Sequence, residues 1–118
     1  MIVARFNSEI TEGLLKGALA ALADAAVGDS DITVVRVPGA FELPIAALKL
    51  AESGRFDAVV CLGCLIKGDT MHFEYIADAT AHGIMDASAA TGVPIAFGVL
   101  TTLTDEQAEI REIGRAHV

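Results

Sequence analysis

Tryptophan is absent from the 118 residues, and one Tyr with five Phe brings aromatics to only 5%. Any aromatic placed at a turn therefore stands out. Cations are also scarce: eight Lys and Arg face 16 Asp and Glu, for a net charge of −8. That balance argues against a nucleic-acid partner, which wants a basic face, and means that an anionic substrate needs local cations. No apolar run approaches the roughly 20 residues of a membrane span. Met1 leads straight into Ile2-Val3-Ala4, too short for the apolar core of a secretory signal. A soluble, cytoplasmic chain is the expectation. Repeats, linkers and low-complexity segments are missing too. What is present is 53% hydrophobic residues with a mean hydropathy of +0.55, which excludes disorder and fits one domain with a single core.

The only two cysteines, Cys61 and Cys64, have the spacing of a C-x-x-C motif. In a thioredoxin-type site such a pair opens a helix. Here both fall in an apolar run of strand length, where residues three apart point to opposite faces. They are read as buried apolar side chains, and two thiolates alone do not make a zinc site.

That run, Ala58 to Ile66, organises the chain. Unbroken and rich in Val and Leu, it reads as a strand buried on both faces. Lys67-Gly68-Asp69-Thr70 interrupts it, and Phe73, Ile76, Ala77, Thr80, Ala81 and Ile84 then repeat with helical period. Around it the pattern recurs. Ile2 to Arg5 is a short strand; Ser8 is the expected N-cap of a helix faced by Ile10, Leu14, Leu15, Ala18, Leu19 and Leu22, with Gly28 ending it. Asp31 to Val37 reads as the second strand, followed by a helix from about Phe41 to Ser53 with Pro44 in its first turn and Gly54 just past its end. Gly92 closes the third helix, Pro94 to Leu100 is the fourth strand, Thr101-Thr102 its turn, and Thr104 to Gln107 a capping box opening a fourth helix. Four strand–helix units with short turns predict a four-stranded parallel sheet in a three-layer α/β/α domain, with right-handed crossovers.

In open α/β sheets ligands collect at the carboxyl ends of the strands, so the turns there hold the candidate chemistry. Gly68-Asp69-Thr70 opens the third helix, where free N–H groups and the helix dipole favour an anion. A plain turn with a capping Thr would carry the same residues. His72, in that helix's first turn, is positioned as a base and proton shuttle, or it packs on Phe73 or Tyr75. Phe6 and Phe41 fall at strand-to-helix turns, where each either stacks on a planar ring or staples a helix start. Glu42 either accepts hydrogen bonds from substrate hydroxyls or complements a helix dipole. Phe97 reads as core, and Arg111 as a solvated cation.

Taken together the turns resemble the lumazine synthase family, riboflavin-pathway enzymes that make 6,7-dimethyl-8-ribityllumazine on a flavodoxin-like fold. The matching words are Arg5-Phe6-Asn7, V-P-G-A-F-E-L-P (Val37 to Pro44), L-G-C-L-I-K-G-D-T-M-H-F (Leu62 to Phe73), P-I-A-F-G-V-L-T-T (Pro94 to Thr102) and E-Q-A-E-I-R (Glu106 to Arg111), in order and at family-like spacing. The resemblance implies that Phe6 stacks on the pyrimidine and that Ala40, Phe41 and Glu42 hold the ribityl chain and nearby atoms. It implies that Cys64, Leu65 and Ile66 line the pyrimidine pocket, largely through backbone groups. Asp69 and Thr70 would bind phosphate, His72 would transfer protons, and Phe97 and Arg111 would reach into a neighbouring subunit's site. It further implies substrates of two kinds, a ribitylaminouracil and a four-carbon ketone phosphate. No cofactor or metal is implied, and the assembly would be a pentamer, stacked or closed into a shell.

The chain departs from the family's pattern at both ends: fewer residues precede the first strand, and the last helix is cut short. Residues 1–111 are expected to form the domain, and residues 112–118, which resemble a translated sequencing adapter, a non-native tail. A catalytically silent ligand-binding or shell-forming relative has the same fold and is the main alternative. A flavodoxin-like FMN carrier, the third reading, gives no reason for V-P-G-A-F-E-L-P.

Overall fold

The computed structural model describes residues 1–67 and 72–112. Four parallel strands form one sheet in the order β2-β1-β3-β4, from β1 (Ile2–Ala4), β2 (Val35–Val37), β3 (Val59–Ile66) and β4 (Ile95–Thr102). The central pair is joined through Ile2↔Cys61 and Val3↔Leu62, and β3 runs beside β4 from Val59↔Ile95 to Ile66↔Thr102. Because β2 and β3 lie on opposite sides of β1, the chain reverses direction across the sheet between β1 and β3. The crevice outside their carboxyl ends is where such sheets bind ligands.

The alternation of the strands sorts their side chains between two helical layers. Ile2, Ala4, Cys61, Leu65 and Val99 pack with Leu43 and Ala47 of α2 (Leu43–Glu52) and Ile84 of α3 (His72–Thr91). On the other face Val3 and Leu62 meet Leu15 of α1 (Ser8–Asp24), and Cys64 meets Ile10 of α1 and Ala108 of α4 (Asp105–Glu112). The three-layer α/β/α architecture expected from the sequence is therefore present. Cys61 and Cys64 sit in different clusters on opposite faces, both reduced and buried.

Several boundaries differ from the sequence reading, each for a local reason. The first helix is capped by Asn7 rather than Ser8: Asn7 adopts the left-handed conformation (φ 60°), and its carbonyl accepts the Ile10 and Thr11 N–H groups. The same helix stops at Asp24, four residues before Gly28. There Val27 N–H donates to Leu22 O and Ala26 N–H to Ala23 O, with Ala26 at φ 65°. This is a Schellman end with alanine where glycine is usual. The second strand runs only over Val35–Val37, the three residues that pair with Ile2–Ala4, and a 3-10 turn covers Asp29–Asp31. The second helix is preceded by a 3-10 turn over Ala40–Glu42, although Pro44 and Gly54 (φ 72°) hold their expected places. Thr101 and Thr102 belong to β4 rather than to a turn, because they pair with Leu65 and Ile66. The last helix opens as expected on Thr104, whose Oγ1 accepts the Gln107 N–H at 3.2 Å. Of the segment read as a tail, Glu112 closes α4, with its carboxylate lying against Gly13 of α1; residues 113–118 lie outside the described residues.

Candidate active site

The turn after β1 is built by Asn7. Its left-handed backbone reverses the chain, and its Nδ2 donates to Cys64 O at 2.8 Å, which ties this turn to the end of β3. Phe6 is left 68% exposed beside it. The turn after β2 closes on itself: Gly39 N–H donates to Glu42 Oε1 at 2.9 Å, and Leu43 N–H to Ala40 O. The exposed Phe41 ring projects from that turn. A third group comes from the carboxyl end of β3 and the start of α3.

These pieces enclose a cavity of about 480 Å³ lined by Phe6, Gly39, Ala40, Phe41, Glu42, Leu65, Ile66 and His72, with Pro38, Phe73 and Ile76 completing the wall. Seven candidates separated by up to 66 positions in the chain thus share one mostly apolar space carrying two exposed rings, one carboxylate and one imidazole. Its size and chemistry suit a planar heterocycle bearing a polar chain. One carboxylate oxygen of Glu42 already accepts a hydrogen bond within its own turn.

The other candidates lie elsewhere. Cys64 is behind the wall, with its carbonyl taken by Asn7 and its thiol pushed up to about 11 by burial and then by the nearby Asp105 carboxylate. Cys61 is raised to about 11 as well, chiefly by burial. Both are neutral thiols at physiological pH and poor nucleophiles. Phe97 is half exposed rather than core, and borders a separate hollow on β4 and α3 with Ile84, Met85 and Ser88. Arg111 is exposed in the last turn of α4. Asp69 and Thr70 lie outside the described residues. Lys67, the cation before them, has its Nζ 3.5 Å from Glu74 Oε1. Among the described residues, no group of three His, Cys, Asp or Glu could hold a metal ion.

Comparison with known proteins decides the family. The model for 6,7-dimethyl-8-ribityllumazine synthase matches residues 1–117. The chain belongs to this family. It is 59% identical over 106 residues to the 6,7-dimethyl-8-ribityllumazine synthase of Syntrophus aciditrophicus, covering 90% of this chain and 69% of that protein. Identity to the enzyme of Desulfotalea psychrophila is 55% over 108 residues, covering 92% and 70%. To 6,7-dimethyl-8-ribityllumazine synthase 1 of Caulobacter vibrioides it is 50% over 111 residues, covering 94% and 72%. Membership in the lumazine synthase family accounts for the five sequence words and their order along the chain.

Two contributors to this rim were missed from the sequence. From the sequence Asn7 reads only as part of the turn after the first strand, although an Asn at a strand-to-helix turn is the residue most tolerant of a left-handed backbone after glycine. From the sequence Thr80 reads only as one position of a helical face. Its hydroxyl donates to Ala40 O at 3.3 Å, a contact across 40 positions that no spacing rule announces.

Proposed function

We propose that this chain is a 6,7-dimethyl-8-ribityllumazine synthase, joining 5-amino-6-ribitylaminouracil to 3,4-dihydroxy-2-butanone 4-phosphate. The observation that carries the reading is the shared cavity, which gathers Phe6, Phe41, Glu42 and His72 in a domain of this family. In the proposed reaction the uracil's amine attacks the ketone and water leaves. Phosphate is then eliminated, and the second nitrogen closes the ring with loss of another water. The reactants carry their own nucleophile and electrophile, so the protein's task is orientation, charge neutralisation and proton movement.

In this reading Phe6 stacks on the pyrimidine, and Leu65 and Ile66 border it along with backbone groups near Cys64. Ala40, Phe41 and Glu42 hold the ribityl chain, and His72 shuttles protons between the amine, the ketone and water. Asp69 and Thr70, which precede α3 in the sequence, bind the phosphate through backbone and hydroxyl donors. Phe97 and Arg111 act in the site of an adjoining protomer of a homopentamer. The half-exposed Phe97 and the exposed Met85 at one apolar hollow support such a contact, as does the separation of both residues from the cavity of their own protomer. A reaction between two small metabolites supports a cytoplasmic location. No helix among the described residues is long and apolar enough to cross a membrane.

Mixing the two substrates with the purified chain tests the assignment. Appearance of lumazine fluorescence together with inorganic phosphate in equal amounts is expected. A chain that binds ribityl compounds yet forms no product would instead be a silent relative.

A further inference from the structure

Among the described residues three polar side chains are buried: Thr11, Thr80 and Thr102. Thr11 bonds within its own turn, to Ser8 O, and Thr102 reaches only Thr104 O. Thr80 differs. A threonine inside a helix ordinarily returns its hydroxyl to a carbonyl of the preceding turn, whereas Thr80, 0% exposed, donates to Ala40 O in the 3-10 turn that carries Phe41 and Glu42. Its neighbours on the same helical face make the same junction. Ile76, one turn nearer His72, lines the cavity; Gly83, one turn farther, faces Pro44 so closely that a Cβ there would lie 2.7 Å from the proline ring. The helix that presents His72 is thereby held against the turn that presents Phe41 and Glu42 at one separation.

We propose that Thr80 is a positioning residue. Its hydroxyl fixes the Ala40–Glu42 turn on α3 and so sets where a ribityl chain is held relative to His72. The inference rests on the reading that this cavity takes a ribityl-bearing heterocycle. Thr80→Val keeps the side chain's shape, and Ala40 O keeps the Leu43 N–H, so the fold survives and only the tie between the two elements is cut.

The test is a fluorescence titration of the full chain with 6,7-dimethyl-8-ribityllumazine and, separately, with a lumazine lacking the ribityl chain. Thr80→Val is expected to weaken the ribityl compound about five- to tenfold, the scale of one hydrogen bond. The ligand without the chain should change less than about twofold, because its contacts lie with Phe6 rather than with this turn. Thr80→Ser, which restores the donor, should return ribityl affinity to near the parent value. Unchanged ribityl affinity in Thr80→Val overturns the proposal, and so does an equal loss for both ligands, which would mark a general packing role. A parent chain that binds the ribityl compound but makes no product defeats the assigned reaction while leaving the Thr80 comparison readable. If the parent chain binds no ribityl compound at all, the cavity assignment fails and this inference with it.

Discussion

Two hollows of similar size open at the same carboxyl rim of the sheet, one on each face, and Ile66 borders both. The first, about 480 Å³, is walled by rings and apolar side chains with Glu42 and His72. The second, about 410 Å³, is lined by Asn7, Ser8, Glu9, Ile10, Ile66, Asp105 and Glu109. Both adjoin helix N-termini, which ordinarily attract anions. In the second hollow that capacity is already used, because α1 and α4 place their own Glu9 and Asp105 in the first turn. At the first hollow the acidic residue in the first turn of α3 is Glu74, and Lys67 stands 3.5 Å from it to offset its charge. Position at a sheet's rim therefore does not define a site by itself. The side chains that occupy or release the helix ends do.

The first hollow is most sharply tested at His72. Replacing it by alanine should slow turnover about 10²- to 10⁴-fold, the range for loss of one general acid–base group, and steady-state kinetics would read the change in kcat. Intact turnover would remove the imidazole from the mechanism and leave orientation alone. Phe6 comes next. Its 68% exposed ring has little to contribute to the core, so Phe6→Ala should leave folding nearly unchanged. Loss of a stacking contact of about 0.5–1.5 kcal/mol should raise KM for the uracil about two- to tenfold. An unaltered KM with lowered thermal stability would show that the ring is a staple for α1 rather than a platform for substrate.

The same contrast shows what was legible in the amino acids alone. Strands β3 and β4 carry long apolar runs, so the sheet, its parallel strands and the layering could be read from periodicity. The rim position of Phe6, Phe41 and His72 followed from strand-to-helix breaks. Boundaries failed where a residue did what another usually does. Ala26 takes the left-handed place that Gly28 was expected to fill, because the Val27 and Ala26 N–H groups find Leu22 and Ala23 carbonyls two residues earlier. Asn7 caps α1 in place of Ser8 because its amide also has a tertiary partner in Cys64 O. Phe97 read as core, since mid-strand position carries no sign that β4 is the sheet's edge; the strand order is set by pairing between distant segments. The bond from Thr80 to Ala40 is invisible for the same reason.

The smallest effect is expected at the acidic hollow, and it is the one that most directly tries the comparison. Glu109→Gln removes one of three carboxylates there without touching the first hollow's wall. If the second hollow takes no substrate, kcat and the KM for the uracil should both stay within about twofold. The KM for the anionic ketone phosphate should fall slightly at low salt and lose that advantage near 0.15 M, where charges more than about 8 Å apart are screened. The chain's net charge of −8 makes this direction the natural one, since one fewer carboxylate near the rim weakens the field an anion must enter. A rise in the KM for the uracil would mean that Glu109 contacts that substrate, and the two hollows would then have to be treated as one continuous site joined across Ile66.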